Sequence, residues 1–289
     1  LTHGTETTRK AYLAALHRGD VIGCQLFSEP GAGSDLASVS TRAVRDGDEW
    51  AVDGQKVWTS GAHYSDIGLL LTRTAPEPRH RNLTAFVVDM RAPGVEVRPL
   101  RQMTGGAAFN EVFLSRVRIP DDHRLGEVDA GWSVAITTLM HERKSVGGGG
   151  GGGAGILSMA RLVATARHAG LDRDPVTRQE LASVYTGLAV FRYSNLRAEA
   201  RLRAGLAPGP EGSTGKLAHT RNLAAVAALM TRLLGPALAA DSGQWGTWAW
   251  SEFVLGVPGM RLGGGTDEIQ RNILAERVLG LPKEPRPDS

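Results

Sequence analysis

The chain has 289 residues, 42% apolar and 22% charged, with a formal net charge of +3 and a single cysteine, Cys24. Such a composition supports one large or two modest cores and excludes wholesale disorder, a disulfide framework and a cysteine-cluster metal site. No uninterrupted apolar run reaches the roughly 18 residues of a membrane span, no Lys/Arg block points to nucleic acid, and the opening LTHGTETTRK lacks a secretory pattern, so a cytoplasmic protein with neither membrane nor nucleic-acid partner is expected.

Residues 1–19 read as a short helix, with Tyr12, Leu13, Leu16 and His17 at helical spacing and Gly19 closing it. From Val21 to about Pro120 the texture is β-type: VIGCQLF, the hairpin-like DGDEWAVDGQKVW, IGLLLTR, LTAFVVDM, VEVRPL and NEVFLSRVRIP, separated by Gly, Asp and Pro. The regular turn signals predict an antiparallel barrel or sandwich. After Gly131, Trp132, Ile136, Leu139 and Arg143 fall on one helical stripe, and further long helices are predicted over 175–206 and 213–239. A last helix begins at Thr266, a good N-cap followed by Asp267 and Glu268 at the positive end of the helix dipole. The domain reading is 1–19, a β domain over 20–128, a helical bundle of four-helix type over 129–282, and a tail over 283–289.

Three segments carry chemistry. EPGAGSD, with Ser28 before it and Ser34 inside it, is either an ordinary turn or a loop whose glycines let the backbone approach a ligand. In GQKVWTSGA, Trp58 and Ser60 are a core indole at a strand end with a neighbouring hydroxyl, or a face and an edge contact for a planar heteroaromatic cofactor. GGGTDEIQRNILAERVLGLP, residues 263–282, is explained after Gly265 by its N-cap and amphipathic helix alone. Cys24 reads as a small buried residue and His141 as surface; nothing suggests a metal.

In this order and spacing the three segments resemble the acyl-CoA dehydrogenase family of flavoproteins, and MTGGAAFNEVFLSRVRIP and RLGEVDAGW agree. The resemblance runs from about residue 2 to 285. It implies FAD, an acyl-CoA substrate converted to the trans-2-enoyl thioester, an electron-transfer flavoprotein or similar acceptor, and a homo- or hetero-oligomer. By resemblance, Ser28 and Ser34 match positions at the flavin ring edge and pyrophosphate, with Gln25, Phe27 and Gly33 close by; Ser34 also matches a substrate contact. Trp58 matches the indole packed on the isoalloxazine, Ser60 the hydroxyl near N5, and Thr266 and Glu268 a flavin-contacting pair.

In many members of the family the base is a Glu two residues before the last motif's Thr, where this chain has Gly264. A smaller group carries it in an E-R pair on the helix after the β domain, matched here by Glu142 and Arg143. Arg143 matches a CoA contact. Glu142 falls at the edge of the apolar stripe, near Ala135 and Val146, where partial desolvation favours proton uptake. Glycine is over-used, 37 in all, and seven stand together at Gly147–Gly153. In a helix each costs roughly 1 kcal/mol relative to Ala. In the family this helix flanks the acyl chain, so small residues there imply a bulky, branched or ring-bearing acyl group.

Three departures from the family pattern complete the reading. Only 1–19 represents the usual leading helical domain, which implies a fragment, a partner chain that supplies the missing wall, or a degenerate subunit. DRDPVTRQEL stands where Arg-x-x-Phe-Gly is usual, and RLLGPAL where Q-x-x-G-G-x-G is usual. The alternatives to the dehydrogenase are therefore a non-catalytic subunit of a heteromeric enzyme and an acyl-CoA oxidase.

Overall fold

Thr5 and Gly19 bracket the first helix by local chemistry. In α1 (Glu6–Arg18) the Thr5 hydroxyl accepts from the Thr8 amide at 3.2 Å, and Gly19 takes φ +77°, the left-handed cap that glycine adopts without strain. The computed structural model of the chain describes residues 2–147, 157–206, 209–239, 243 and 247–283, and of residues 143–147 and 247 the backbone alone. Contacts divide the chain into two units, Leu1–Thr138 and Leu139–Ser289.

The first unit is built on β1 (Gly23–Leu26), β2 (Arg42–Asp46), β3 (Glu49–Ser60), β4 (Ile67–Arg73), β5 (Leu83–Asp89), β6 (Val95–Leu100), β7 (Phe109–Pro120) and β8 (Arg124–Leu125). The stretch DGDEWAVDGQKVW is not itself a hairpin, since its residues from Glu49 on run in the single strand β3; the hairpin is β2–β3, turned by Gly47 at φ +63° and Asp48. The sheet runs β6-β7-β3-β2-β4-β5-β8. It is not closed, so a barrel is not what these strands form. The reason lies at its ends: β6 carries Pro99, which cannot donate to a further strand, and β8 is two residues long. Nor is the sheet wholly antiparallel. β1 pairs in parallel with Ile67–Leu70, and Arg42 of β2 takes the far end of the same strand at Arg73.

Alternation on β3 and β7 sends Trp50, Val52, Val112, Leu114, Val117 and Ile119 into one core with Leu26, Leu70 and Phe86. Trp50 packs on Phe86 at 5.4 Å between ring centres and satisfies its indole N–H on Asp121 Oδ1 at 2.7 Å.

α2 (Gly131–Gly147) starts against the sheet. A Cβ on Gly131 would lie 2.7 Å from the Thr84 carbonyl carbon and 2.8 Å from the Leu83 oxygen, so the helix begins in backbone contact with β5. That contact rotates the helix from its expected phase. Among the described residues of α2, Gly131, Val134 and Ala135 are buried, while Trp132 and Ile136 are half-buried, Trp132 lying tilted against His80 at 4.5 Å between ring centres. Hydrophobicity picked the large residues; the close approach selects the small ones. The glycine run beyond Gly147 lies outside the described residues.

The second unit is helical: α3 (Met159–His168), α4 (Pro175–Arg203), α5 (Ser213–Leu234), α6 (Thr247–Met260) and α7 (Asp267–Arg277) follow the end of α2. α5 packs against α4, α6 and α7, burying Leu223, Val226, Leu229, Met230 and Leu233. The segment Pro210–Ala239 is, against the sequence expectation, long and apolar enough to cross a membrane by length and composition. Its apolar side is the core of this unit, and it also buries Lys216, Thr220 and Asn222. α3 and α6 were not expected. α6 is apolar nearly all round and contains Pro258, so it shows neither the period nor the composition by which a surface helix is read.

Replacing Gly131 by alanine is expected to lower the unfolding free energy by about 1–3 kcal/mol through overpacking against β5. The measurement is the urea midpoint at unchanged m-value; a parent-like midpoint would show that the backbone there yields freely.

Candidate functional site

The EPGAGSD loop is held from beneath by one carboxylate. Glu29 is buried, and each of its oxygens accepts twice. Oε2 receives the Ser40 amide at 2.6 Å and the Ser40 hydroxyl at 2.7 Å; Oε1 receives the Thr41 amide at 2.9 Å and the Lys56 ammonium at 2.8 Å. Lys56, wholly buried on β3, also donates to the Phe27 carbonyl at 3.0 Å. Burial by itself raises the Glu29 carboxyl, but the Lys56 charge, with the hydrogen bonds from Lys56, Thr41 and Ser40, outweighs it and brings the pKa to about 2. For Lys56, burial dominates the attraction of Glu29 and lowers the ammonium to about 8. The Val57 amide donates to the Ser28 carbonyl at 2.9 Å, so loop and strand are joined on both sides of the ion pair.

Glu29 and Ala32 exchange backbone hydrogen bonds at 3.0 Å, closing a tight turn over Pro30 and Gly31. Gly31 and Gly33 are outside the left-handed region, and a Cβ on either would meet nothing within 4 Å. Neither conformation nor crowding within the chain calls for glycine at these two positions. Open space above a glycine backbone is what a ligand lying on the loop requires. Ser34 and Gly33 are exposed, Ser28 and Gln25 are half-buried, and Phe27 is buried, contributing its carbonyl to Lys56.

Strand β3 then breaks its own alternation. In a regular strand Lys56, Trp58 and Ser60 would share one face. The pairing of β3 with β7 instead slips between Lys56 and Thr59, and Trp58 adopts φ +60°. The irregularity puts Lys56 and Thr59 inside and leaves Trp58 and Ser60 outside, the indole 61% exposed and supported edge-on by Phe109 at 6.1 Å. A positive φ on so bulky a residue costs on the order of 1–3 kcal/mol. The loop and the Trp58–Ser60 segment, joined through the Val57–Ser28 and Lys56–Glu29 contacts, thus each expose groups that suit a ligand: glycine backbone and hydroxyls on one, an aromatic ring and a hydroxyl on the other. A planar cofactor bearing phosphates fits that donor set.

The second unit carries the remaining positions. Glu142 lies on α2, half-buried, while His141 beside it is exposed. Counting back along the helix, Glu142 follows Thr138, Ala135 and Gly131 at i−4, i−7 and i−11. Arg143 follows on the same helix, and its side chain lies outside the described residues. Thr266 caps α7, its hydroxyl accepting from the Ile269 amide at 3.2 Å, and Glu268 is exposed beside Arg271. Gly264 is buried and brings no titratable group to the turn.

Sequence reasoning treated Glu29 and Lys56 as letters of two motifs and passed over their pairing. The available signal was one acid in the loop and one lysine in an otherwise apolar strand. Asp267 was read as a helix-dipole residue; it is buried against Lys216, 3.0 Å away.

The family model for the acyl-CoA dehydrogenase middle domain matches residues 24–117, and that for the acyl-CoA dehydrogenase C-terminal domain matches residues 129–279. Acyl-CoA dehydrogenase FadE34 of Mycobacterium tuberculosis is 38% identical over 284 residues, which is 98% of this chain and 38% of that protein. Acyl-CoA dehydrogenase IpdE1 of the same organism is 38% identical over 287 residues, 98% of this chain and 73% of the relative. The chain thus spans well under half of one relative and about three quarters of the other. Among solved structures, the Tcur3481-Tcur3483 steroid ACAD gives a TM-score of 0.90 at 32% identity, covering 98% of this chain and 74% of that one. The ChsE4-ChsE5 complex from Mycobacterium tuberculosis gives 0.83 at 30% identity, covering 98% and 75%.

Because the Glu29 carboxyl titrates near 2 in the folded state, below its value in an unfolded chain, its contribution is complete above about pH 4.5 and fades toward pH 2. At neutral pH Glu29→Gln is expected to cost about 3 kcal/mol, leaving Lys56 buried without its counter-charge, and the gap to the parent closes as pH falls from about 4.5 to 2. Urea unfolding of both proteins across that range tests this; parallel stability curves would overturn it.

Proposed function

The chain belongs to the acyl-CoA dehydrogenase family, and we propose that it carries out FAD-dependent α,β-dehydrogenation of an acyl-CoA thioester with Glu142 as the α-proton base. The observation that carries the reading is the outward presentation of Trp58 and Ser60 beside the clamped glycine loop. The chemistry FAD supplies when bound is acceptance of the β-hydrogen as hydride, which with loss of the α-proton leaves the trans-2-enoyl thioester.

The chain's own residues bind, orient and take the proton. Ser28, Gly33 and Ser34 offer hydroxyls and backbone N–H groups to ring edge and phosphates, with Gln25 and Phe27 supporting them. Trp58 offers its face and Ser60 its hydroxyl; Thr266 and Glu268 contribute from the last motif. Gly264 cannot take a proton, so the base is assigned to another carboxylate, and the half-buried position of Glu142 on α2 supports giving it that role. Arg143 next to it is assigned to the CoA moiety. Ser34 is assigned to the substrate as well as the cofactor. The electrons leave to a flavoprotein acceptor.

A bulky, ring-bearing acyl group is the proposed substrate class. It is supported by the run Gly147–Gly153 and by the likeness, at 32% identity, to a solved structure named a steroid ACAD. The two-component names of that structure and of the ChsE4-ChsE5 complex favour a second reading, in which this chain works as one member of a heteromeric enzyme.

The test is the visible spectrum of the flavin-loaded protein under anaerobic conditions with a panel of acyl-CoAs. Bleaching is expected with a ring-bearing thioester and slower by about 10²–10⁴ in Glu142→Gln. Bleaching with butyryl-CoA alone would overturn the substrate class, and parent-like rates in Glu142→Gln would overturn the base. Bleaching only on addition of a partner chain would move the heteromeric reading forward, and rapid return of colour in air would mark an oxidase.

A further inference from the structure

Lys216 on α5 is wholly buried, and nothing in the proposed chemistry employs it. Its ammonium donates to Asp267 Oδ1 at 3.0 Å and to the Arg261 carbonyl at 2.7 Å. Thr220, one turn along α5, donates to the same carboxylate oxygen at 2.9 Å, and Arg261 Nε donates to Oδ2 at 2.8 Å. Arg261 enters twice, its carbonyl held by Lys216 and its guanidinium closing over Asp267.

Between these two anchors, Arg261 and Asp267, lies the Gly263–Thr266 turn. Gly264 and Gly265 take φ +68° and +87°, the left-handed region that suits glycine. From the α7 side the buried Gln270 donates its amide to the Gly264 carbonyl at 3.0 Å and to the Gly265 carbonyl at 3.2 Å. Three consecutive glycines have the freedom to follow many paths; this one is held at both ends and along its carbonyls.

An acidic residue opening a helix needs no lysine, because the helix end already favours negative charge. Stability does not need the pair either, since well-packed apolar residues of similar volume serve a buried position at least as well. What Lys216 and Asp267 add is direction. We propose that Lys216 is a positioning residue of the cofactor site: through Asp267 and the Arg261 carbonyl it sets the path of the Gly263–Thr266 turn and so the placement of Thr266 and Glu268. That the turn serves a flavin rests on the flavoprotein reading above; the pinning of the turn does not.

The experiment uses the double variant Lys216→Met/Asp267→Leu, which removes both charges together, and Thr220→Val, which removes the hydroxyl that bonds Asp267 and the Lys216 and Leu217 carbonyls of its own helix and keeps every charge. Three quantities are read on the full chain: melting temperature, amide hydrogen exchange of residues 263–270 without cofactor, and FAD affinity from quenching of flavin fluorescence. The double variant is expected to melt near the parent, to exchange at 263–270 at least tenfold faster, and to bind FAD at least tenfold more weakly. Thr220→Val moves the last two in the same direction by two- to threefold, and decides the matter should the double variant not fold. Unchanged exchange in the variants that fold overturns the proposal. Faster exchange with parent-like FAD affinity overturns its link to the cofactor. A parent chain that binds no FAD contradicts the flavoprotein reading instead, and exchange then decides the pinning by itself.

Discussion

The buried ion pair between Glu29 and Lys56 is the constraint on which the join between the glycine-rich loop and β3 in the first unit depends. A lysine ammonium removed from water is costly, and the cost is met only because one carboxylate and one backbone carbonyl accept from it at close to 3 Å. Both acceptors belong to the loop segment 27–29, and the donor belongs to β3. The glycine-rich loop therefore cannot drift from the strand without exposing an uncompensated charge. The same device recurs in the second unit, where Lys216 joins a carboxylate and a carbonyl on either side of a glycine turn. Two glycine-rich segments are each held by a buried lysine donating to one side chain and one main-chain oxygen.

That definition accounts for the strain at Trp58. A non-glycine residue at φ +60° persists only where its surroundings over-determine it. Lys56 is fixed on one side by the ion pair, and Thr59 is buried on the other, its carbonyl accepting from Asn110 at 2.9 Å. Between two inward-facing anchors the bulge gives the indole no course but outward. Exposure of a large aromatic surface is unfavourable in water, so a segment that pays for backbone strain to achieve it points toward a ligand for that face.

Much of the fold was legible in the sequence where one local rule decides. The Gly19 close of α1 and the Thr266 cap of α7 each follow from a residue whose backbone or hydrogen-bonding preference is strong. Where tertiary contact decides, the sequence reading failed. The open sheet follows from edge chemistry at Pro99 and the phase of α2 from the approach of Gly131 to β5, while α6, apolar nearly all round, carries no helical period to read. At the site, residues aimed outward were visible as motif letters, while Glu29, Lys56, Lys216 and Asp267 were not, because pairing across 27 or 51 positions leaves no periodic trace.

On the proposed reading, moving the base from the glycine turn to α2 separates two demands that a single segment would otherwise have to meet together. A base must sit in a dry, fixed position relative to the substrate, whereas the turn must follow the cofactor. With Gly264 in place of a carboxylate, the turn is free of the first demand and can be as glycine-rich as the second requires. Glu142, on a continuous helix anchored at its start by Gly131, takes its position from helix geometry rather than from the turn. A perturbation of the Lys216–Asp267 pair therefore acts on the cofactor contacts of Thr266 and Glu268 and leaves the anchoring of the base untouched. On that same proposal, proton and hydride are served by elements whose stability comes from different interactions.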